Sequence, residues 1–196
     1  MPATALDPRT ALVVIDLQKG ILGVPSIHPV ADVVARTALL VRAFHARGLP
    51  VIFVTVSYAA DGGDQLKLRT EVPGRMRTPP ASDFAELVPE LGASSTDIRV
   101  VKRNWGAFHG TDLDLQLRRR QVTGIVLTGV ATSIGVDTTA RGAHEHGYNL
   151  TFATDAMTDL DASAHEVALT KIFPRLGETD TTERILALLR SPRPLD

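Results

Sequence analysis

Two kinds of hydrophobic pattern alternate along this chain. Short, largely apolar runs occur at 11–15 (ALVVI), 51–56 (VIFVTV), 98–101 (IRVV), 125–127 (IVL) and 149–153 (NLTFA). Runs of this length and composition predict strands covered on both faces, as in a parallel sheet. Between them lie stretches with apolar positions three and four apart. Val30, Val33, Val34, Thr37, Leu40, Val41 and Phe44 share one helical face, and Gly48 supplies a stop. Further helices are expected at 83–91, from a Thr111 or Asp112 cap to Arg119, at 133–145, at 162–173 and at 181–189, the last stopped by Pro192 and Pro194. A brief edge strand is expected at 175–177. Residues 17–27, with Gly20, Gly23 and Pro25, read as loop.

Strand and helix patterns alternate without a linker or a break in composition. This predicts one α/β domain over 1–196, a three-layer α/β/α sandwich around a largely parallel sheet. Right-handed crossovers bring the carboxyl ends of the strands to one edge. Three features follow strands and so share that edge: Asp16, Lys102 and the corner 128–135 (TGVATSIG). A charged residue ending a buried strand needs a partner or a chemical role. Asp16 and Lys102 either neutralise each other structurally or act in chemistry, and the pattern alone leaves both open. A strand–turn–helix corner is also where open α/β sheets place their sites, with backbone N–H groups at the helix start suited to a developing negative charge. A nucleophile elbow would carry Ser, Cys or Thr at its strained point, and Gly135 stands near that position. Thr132 and Ser133 have no base adjacent in sequence, so they read as caps and oxyanion-loop residues.

Composition narrows the chemistry. Hydrophobic residues make up 44% and charged residues 22%, as in a soluble globular domain. A net charge of −1 points to no polyanionic partner such as nucleic acid. The absence of cysteine excludes disulfides, thiolate metal sites and thiol catalysis. No apolar run approaches membrane-spanning length, and no secretory signal pattern opens the chain, so a cytoplasmic location is the default expectation. There is no phosphate-binding loop and no G-x-G-x-x-G after the first strand. The six histidines lack metal-site spacing. No cofactor is therefore expected. The irregular stretch 57–80 holds Lys67, Arg69, Arg75 and Arg77, individually a solvated surface but as a group able to hold a substrate carboxylate.

Four blocks in order, ALVVIDLQKG, VVKRNWGAFHGTDLD, LTGVATSIGVDTTARGAHEHGY and ATDAMTD, then define a resemblance. Over nearly its whole length the chain resembles the isochorismatase-like hydrolases of the cysteine hydrolase superfamily. The resemblance implies a six-stranded parallel sheet, assembly as a homodimer or homotetramer, and a small-molecule, carboxylate-bearing substrate. It also implies an Asp, Lys and Cys acting together. Asp16 and Lys102 match the first two, while the Cys position is Gly135, which makes this a Cys-less member. Isochorismatases also carry Gly there and cleave an enol ether through the Asp and Lys, without a covalent intermediate. By that analogy Asp16 is a general acid, isochorismate is the candidate substrate and pyruvate a product. The resemblance further implies a cis peptide at Val130–Ala131 and a site lined by Trp105, Phe108, Val130, Ala131, Thr132 and Ser133. A Gln and an Arg after the second strand bind substrate in isochorismatases. Ala60 follows Tyr58-Ala59 here, and Gln65 and Arg69 are the nearest counterparts. The GVATSIGVD block is closer to the amidase branch. Two alternatives follow: hydrolysis of an amide or ester by water, with Asp16 as base, and a catalytically silent binding protein.

Overall fold

The computed structural model describes residues 2–72 and 81–190. Pro73, Gly74, Arg75, Arg77, Pro79, Pro80, Pro192 and Pro194 lie outside them. Six strands form one parallel sheet: β1 (Thr10–Ile15), β2 (Val51–Val56), β3 (Ile98–Lys102), β4 (Gly124–Val130), β5 (Asn149–Thr158) and β6 (Glu178–Asp180). Their order is β3-β2-β1-β4-β5-β6. The chain thus winds outward from β1 in one direction, then returns to its other side through β4. The crevice beyond the carboxyl ends of β1 and β4 is the switch point, where open α/β sheets bind ligands.

The helices cover both faces. On one face lie α2 (Val30–Ala46) and α7 (Thr182–Arg190), which bury Val33, Leu40, Val41, Phe44 and Ile185 against Leu12 and Val14 of β1. On the other lie α3 (Leu113–Arg119), α4 (Asp137–Glu145), α5 (Ala162–Val167) and α6 (Phe173–Leu176), whose Leu113, Leu117, Ala140 and Phe173 pack with Ala11, Val13 and Ile15. Alternate residues of β1 therefore serve opposite layers. A strand so placed has no solvent-facing side: all six β1 residues are buried, five of them apolar, and the hydroxyl of Thr10 is bonded to Gly124 O.

Several boundaries differ from the sequence expectations. A short helix, α1 (Lys19–Leu22), interrupts the expected loop at 17–27. Only a 3-10 turn, Pro89–Leu91, forms within 83–91. The rest of that segment is held beside residues 17–20: the N–H groups of Lys19 and Gly20 donate to the carbonyls of Glu86 (2.9 Å) and Phe84 (3.0 Å). The fifth strand runs on to Thr158, because Thr154 and Asp155 find partners at the edge. Thr154 Oγ1 donates to Asp180 O, and Asp155 accepts from both the N–H and the hydroxyl of Thr182. The edge strand is 178–180 rather than 175–177, since its pairing with β5 is made by backbone and needs no apolar run. The expected 162–173 helix is divided by a π-helical segment, Ala168–Ile172, before Pro174 opens α6. The expected 133–145 helix likewise begins as a π-helical turn, Thr132–Val136, and becomes α4 only at Asp137.

Gly129 fixes the closest approach in the sheet. It has φ 122, and a Cβ there would lie 2.1 Å from Ile15 O, a separation that no side chain tolerates. Gly129→Ala is expected to lower stability by about 3 kcal/mol or more, through overpacking and an unfavourable backbone conformation. Gly23→Ala, where the added methyl meets nothing within 4 Å, should stay within about 0.5 kcal/mol of the parent. Urea unfolding midpoints of the two variants check this contrast.

Candidate active site

Asp16 is the first residue beyond β1 and adopts φ 54, a left-handed conformation that Asp tolerates better than most residues. Its N–H donates to Val54 O (2.9 Å), so the backbone stays tied to β2 while the carboxylate turns into the switch-point crevice. Lys102 ends β3, two strands away, a separation of about 9–10 Å at ordinary strand spacing. Its side chain spans that gap past Val56, and Nζ meets Asp16 Oδ2 at 2.8 Å. Both side chains are buried, at 3% and 8% exposure. Nζ also donates to Asn104 O (3.2 Å), which leaves one of its three protons for another acceptor.

The two oxygens of Asp16 differ. Oδ2 accepts from Lys102, whereas Oδ1 is buried with no partner among the described residues. Burial pushes the Asp16 carboxyl up from 3.8 to about 6, while Lys102 pulls it down through charge and hydrogen bonding. A proton on this group belongs on Oδ1, because Lys102 occupies the other oxygen. Tyr58 is held above the usual tyrosine range, by burial first and then by the charges of Asp16 and Asp64. Its phenol remains a neutral donor on the same cavity wall.

The corner after β4 covers the pair. The Val130–Ala131 peptide is cis. Gly135 faces Asp16 so closely that an added Cβ would stand 3.2 Å from Asp16 Oδ2 and 3.1 Å from Ile15 Cγ2. The position that the sequence resemblance aligns with a Cys therefore adjoins the carboxylate, but no side chain projects from it. Asp159 fixes the corner from behind. It is buried, and its carboxylate accepts from the N–H groups of Ser133 (2.6 Å) and Leu160 (2.7 Å). Thr132 points away from the crevice. Its hydroxyl donates to Thr158 O (3.0 Å) and so accepts from Nδ1 of buried His165 at 2.9 Å. Burial, then the neighbouring His28, hold that imidazole below the usual histidine range.

A cavity of about 1030 Å³ opens over this floor. Asp16, Lys102, Gly135, Trp105, Val130 and Ala131 line it, as the sequence reading placed them. Others do not. Phe108 is turned the other way, stacked on His146 (5.0 Å) and Tyr148 (6.0 Å) and packed against Gly142. The side chain of Thr132 and the N–H of Ser133 are engaged behind the corner, so neither serves as an open oxyanion-loop donor. Gln65 and Arg69 are absent from the lining formed by the described residues; Gln65 N–H donates to Gly62 O and Arg69 is exposed. Of the loop cations, Lys67 is also exposed, and Arg75 and Arg77 lie outside the described residues. The lining adds residues that the sequence reading had not singled out: Ile21 and Leu22 of α1, Tyr58, Phe84 and Asp159. Among the described residues no group of three or more His, Asp or Glu could hold a metal ion, and no helix is long and apolar enough to cross a membrane.

Comparison with known proteins places this geometry. Residues 10–184 match the isochorismatase domain. An uncharacterised isochorismatase family protein, YwoC of Bacillus subtilis, is 50% identical over 180 residues, covering 91% of this chain and 93% of the relative. An isochorismatase family protein from Burkholderia thailandensis has a solved structure that superposes with TM-score 0.90 at 48% identity, covering 95% of this chain and 98% of that one. At greater distance, the ureidoacrylate amidohydrolase RutB of Methylobacterium radiotolerans is 29% identical over 199 residues, covering 88% of this chain and 77% of the relative.

The buried ion pair generates a pH-dependent prediction. The folded-state pKa of Asp16 lies above its unfolded value. Its contribution to stability is thus present below about 4 and lost as pH rises through about 6. Lys102→Met removes the cation that lowers this pKa, so the loss extends to higher pH. At pH 8 the single variant should be destabilised by about 3 kcal/mol, because it leaves an uncompensated buried charge. The deficit should shrink toward pH 4. The double variant Asp16→Asn/Lys102→Met should recover most of the loss at pH 8. Thermal or urea unfolding of the three proteins at both pH values checks it.

Proposed function

The chain belongs to the isochorismatase family, and from that premise we propose that it is a hydrolase working by proton transfer without a covalent intermediate. One observation carries this reading: a buried carboxylate with one unpartnered oxygen and a raised pKa faces a position where Gly135 supplies no nucleophile. Such a site can give or take a proton, but it cannot form a covalent thioester there.

The reaction that suits it best is hydrolysis of an enol ether of the isochorismate type. Asp16 Oδ1–H delivers its proton to the terminal methylene carbon of the enolpyruvyl group, and the double bond becomes an oxocarbenium ion. Water adds to the oxygen-bearing carbon of that ion and loses a proton, which restores the Asp16 carboxyl. The resulting hemiketal collapses to pyruvate and the free alcohol, so the net change is the addition of one water. Lys102 holds the enolpyruvyl carboxylate with its remaining N–H and keeps the Asp16 carboxyl from rising further. The reading needs no cofactor, since proton donor and water suffice.

A second reading has its own support. With a pKa of about 6, Asp16 is mostly ionised at pH 7 and can act as a base toward water attacking an amide or ester. Similarity to an amidohydrolase favours that possibility.

The two readings predict opposite pH profiles. With Asp16 as acid, kcat/KM for pyruvate release from isochorismate should fall tenfold per pH unit above about 6. With Asp16 as base, turnover of an amide or ester should rise to about pH 6 and then level off. In either case Asp16→Asn should reduce kcat by about 10²- to 10⁴-fold. A folded Asp16→Asn variant with unchanged turnover would refute both, and a wild type inactive on all three substrate types would leave a binding protein.

A further inference from the structure

Tyr58 lines the same cavity as Asp16 and Lys102, yet no step of the proposed reaction uses it. It lies just beyond β2, in a segment whose backbone is bonded on both sides of it. Before it, fully buried Gln18 holds Val56, donating from Nε2 to Val56 O (2.9 Å) and accepting from Val56 N–H (2.7 Å). Ser57 N–H donates to Lys102 O (3.2 Å), so Tyr58 follows directly on a tie between its own segment and the lysine. After it, Ala59 N–H donates to Asp64 Oδ1 (2.7 Å), and Gly62 N–H closes the turn onto Ala59 O (2.8 Å). Asp64 is anchored in its turn: Oδ2 pairs with Nε of Arg103, the residue after Lys102. The ends of β2 and β3 are thus laced together around a half-buried phenol.

The chemistry of that phenol suits the floor beside it. Burial, and then the charges of Asp16 and Asp64, keep it protonated at neutral pH. A neutral O–H donates one hydrogen bond without changing the charge balance of the Asp16–Lys102 pair. It is not spent on Asp16 Oδ1, which has no partner among the described residues. Lys102 keeps one N–H for a ligand after bonding Asp16 and Asn104 O. A carboxylate presents two oxygens, and one N–H satisfies only one of them. Burying the other without a donor is costly. We propose that Tyr58 is a substrate-contacting residue, its O–H binding one oxygen of the carboxylate beside the scissile ether while Lys102 Nζ binds the other. The assignment rests on the enol-ether reading, which puts that carboxylate on Lys102, and deepens it by naming the second donor. Tyr58 then binds and orients the substrate, and Asp16 remains the acid.

The probe is 2-methoxypropanoate, which keeps the ether and the carboxylate but has no double bond to protonate. Its uncharged counterpart is 2-methoxypropanol. Dissociation constants are measured by NMR titration for the wild type, Tyr58→Phe, Asp64→Ala and the double variant. Tyr58→Phe should weaken the carboxylate at least about tenfold and the alcohol less than about twofold, with circular dichroism and Tm as in the parent. Asp64→Ala keeps the phenol but unties its turn. It should weaken the carboxylate at least about threefold, and add nothing in the Tyr58→Phe background. With isochorismate, Tyr58→Phe should raise KM about tenfold, hold kcat within about threefold and leave the fall in activity above about pH 6 in place. Unchanged carboxylate binding in Tyr58→Phe, equal losses for carboxylate and alcohol, or no binding of 2-methoxypropanoate to the wild type would overturn the assignment. Should Tyr58→Phe lose the parental fold, Asp64→Ala decides, and undiminished carboxylate binding there overturns it. Absence of pyruvate release would refute the reaction alone, because neither probe is turned over.

Discussion

A buried pair of opposite charges is the constraint on which this structure turns. Asp16 and Lys102 begin on strands that are not neighbours, and they meet only because β1, β2 and β3 hold one register. Ile15 lies opposite Val54, and Val56 opposite Lys102. A slip of one residue in β3 would send Lys102 to the other face of the sheet, where Arg99 and Val101 are exposed. The cost of dehydrating either charge alone is several kcal/mol, so each fixes the other's position. The pair is not symmetrical, however. Lysine satisfies one carboxylate oxygen and leaves the other facing inward without a partner. That imbalance leaves the carboxylate only half satisfied, unlike an ion pair whose oxygens are all bonded.

The corner after β4 completes the arrangement through what it lacks. Gly129 lets the fourth strand press against Ile15, and Gly135 leaves the space over Asp16 unfilled. Asp159 and His165 then hold the backbone of the corner from behind. The corner thus presents backbone and open space, and no side-chain nucleophile, to the Asp16 carboxylate.

Much of this was legible in the sequence. Strands buried on both sides write themselves as apolar runs, so β1, β2 and β4 were visible, and the charged residues ending β1 and β3 pointed to the edge where the cavity lies. Asp159 shows where that logic stopped. It also follows a buried strand, but the strand appeared to end at Thr154-Asp155, because two polar residues sit inside it. Their partners, Asp180 and Thr182, come from distant sequence and leave no local trace. Phe108 erred in the opposite sense. An aromatic residue soon after Lys102 looked like lining, yet its turn packs on α4 and faces Tyr148. Phe84 and Tyr58 were hidden because they lie on a long irregular connection, where no periodicity tells inward from outward.

Gln18 is fully buried, and its side-chain amide donates to Val56 O and Phe84 O and accepts from Val56 N–H, which couples the cavity wall to the sheet. The Phe84 side is riveted to the sheet by the buried amide, by the paired backbone of residues 17–20, and by the Lys19–Glu86 and Lys19–Asp83 ion pairs. Earlier on the same connection, Leu66, Leu68 and Val72 are exposed and Thr70 Oγ1 donates to Val72 O. Any displacement on the Phe84 side would therefore pull at the end of β2 itself, because one Gln18 amide bonds both.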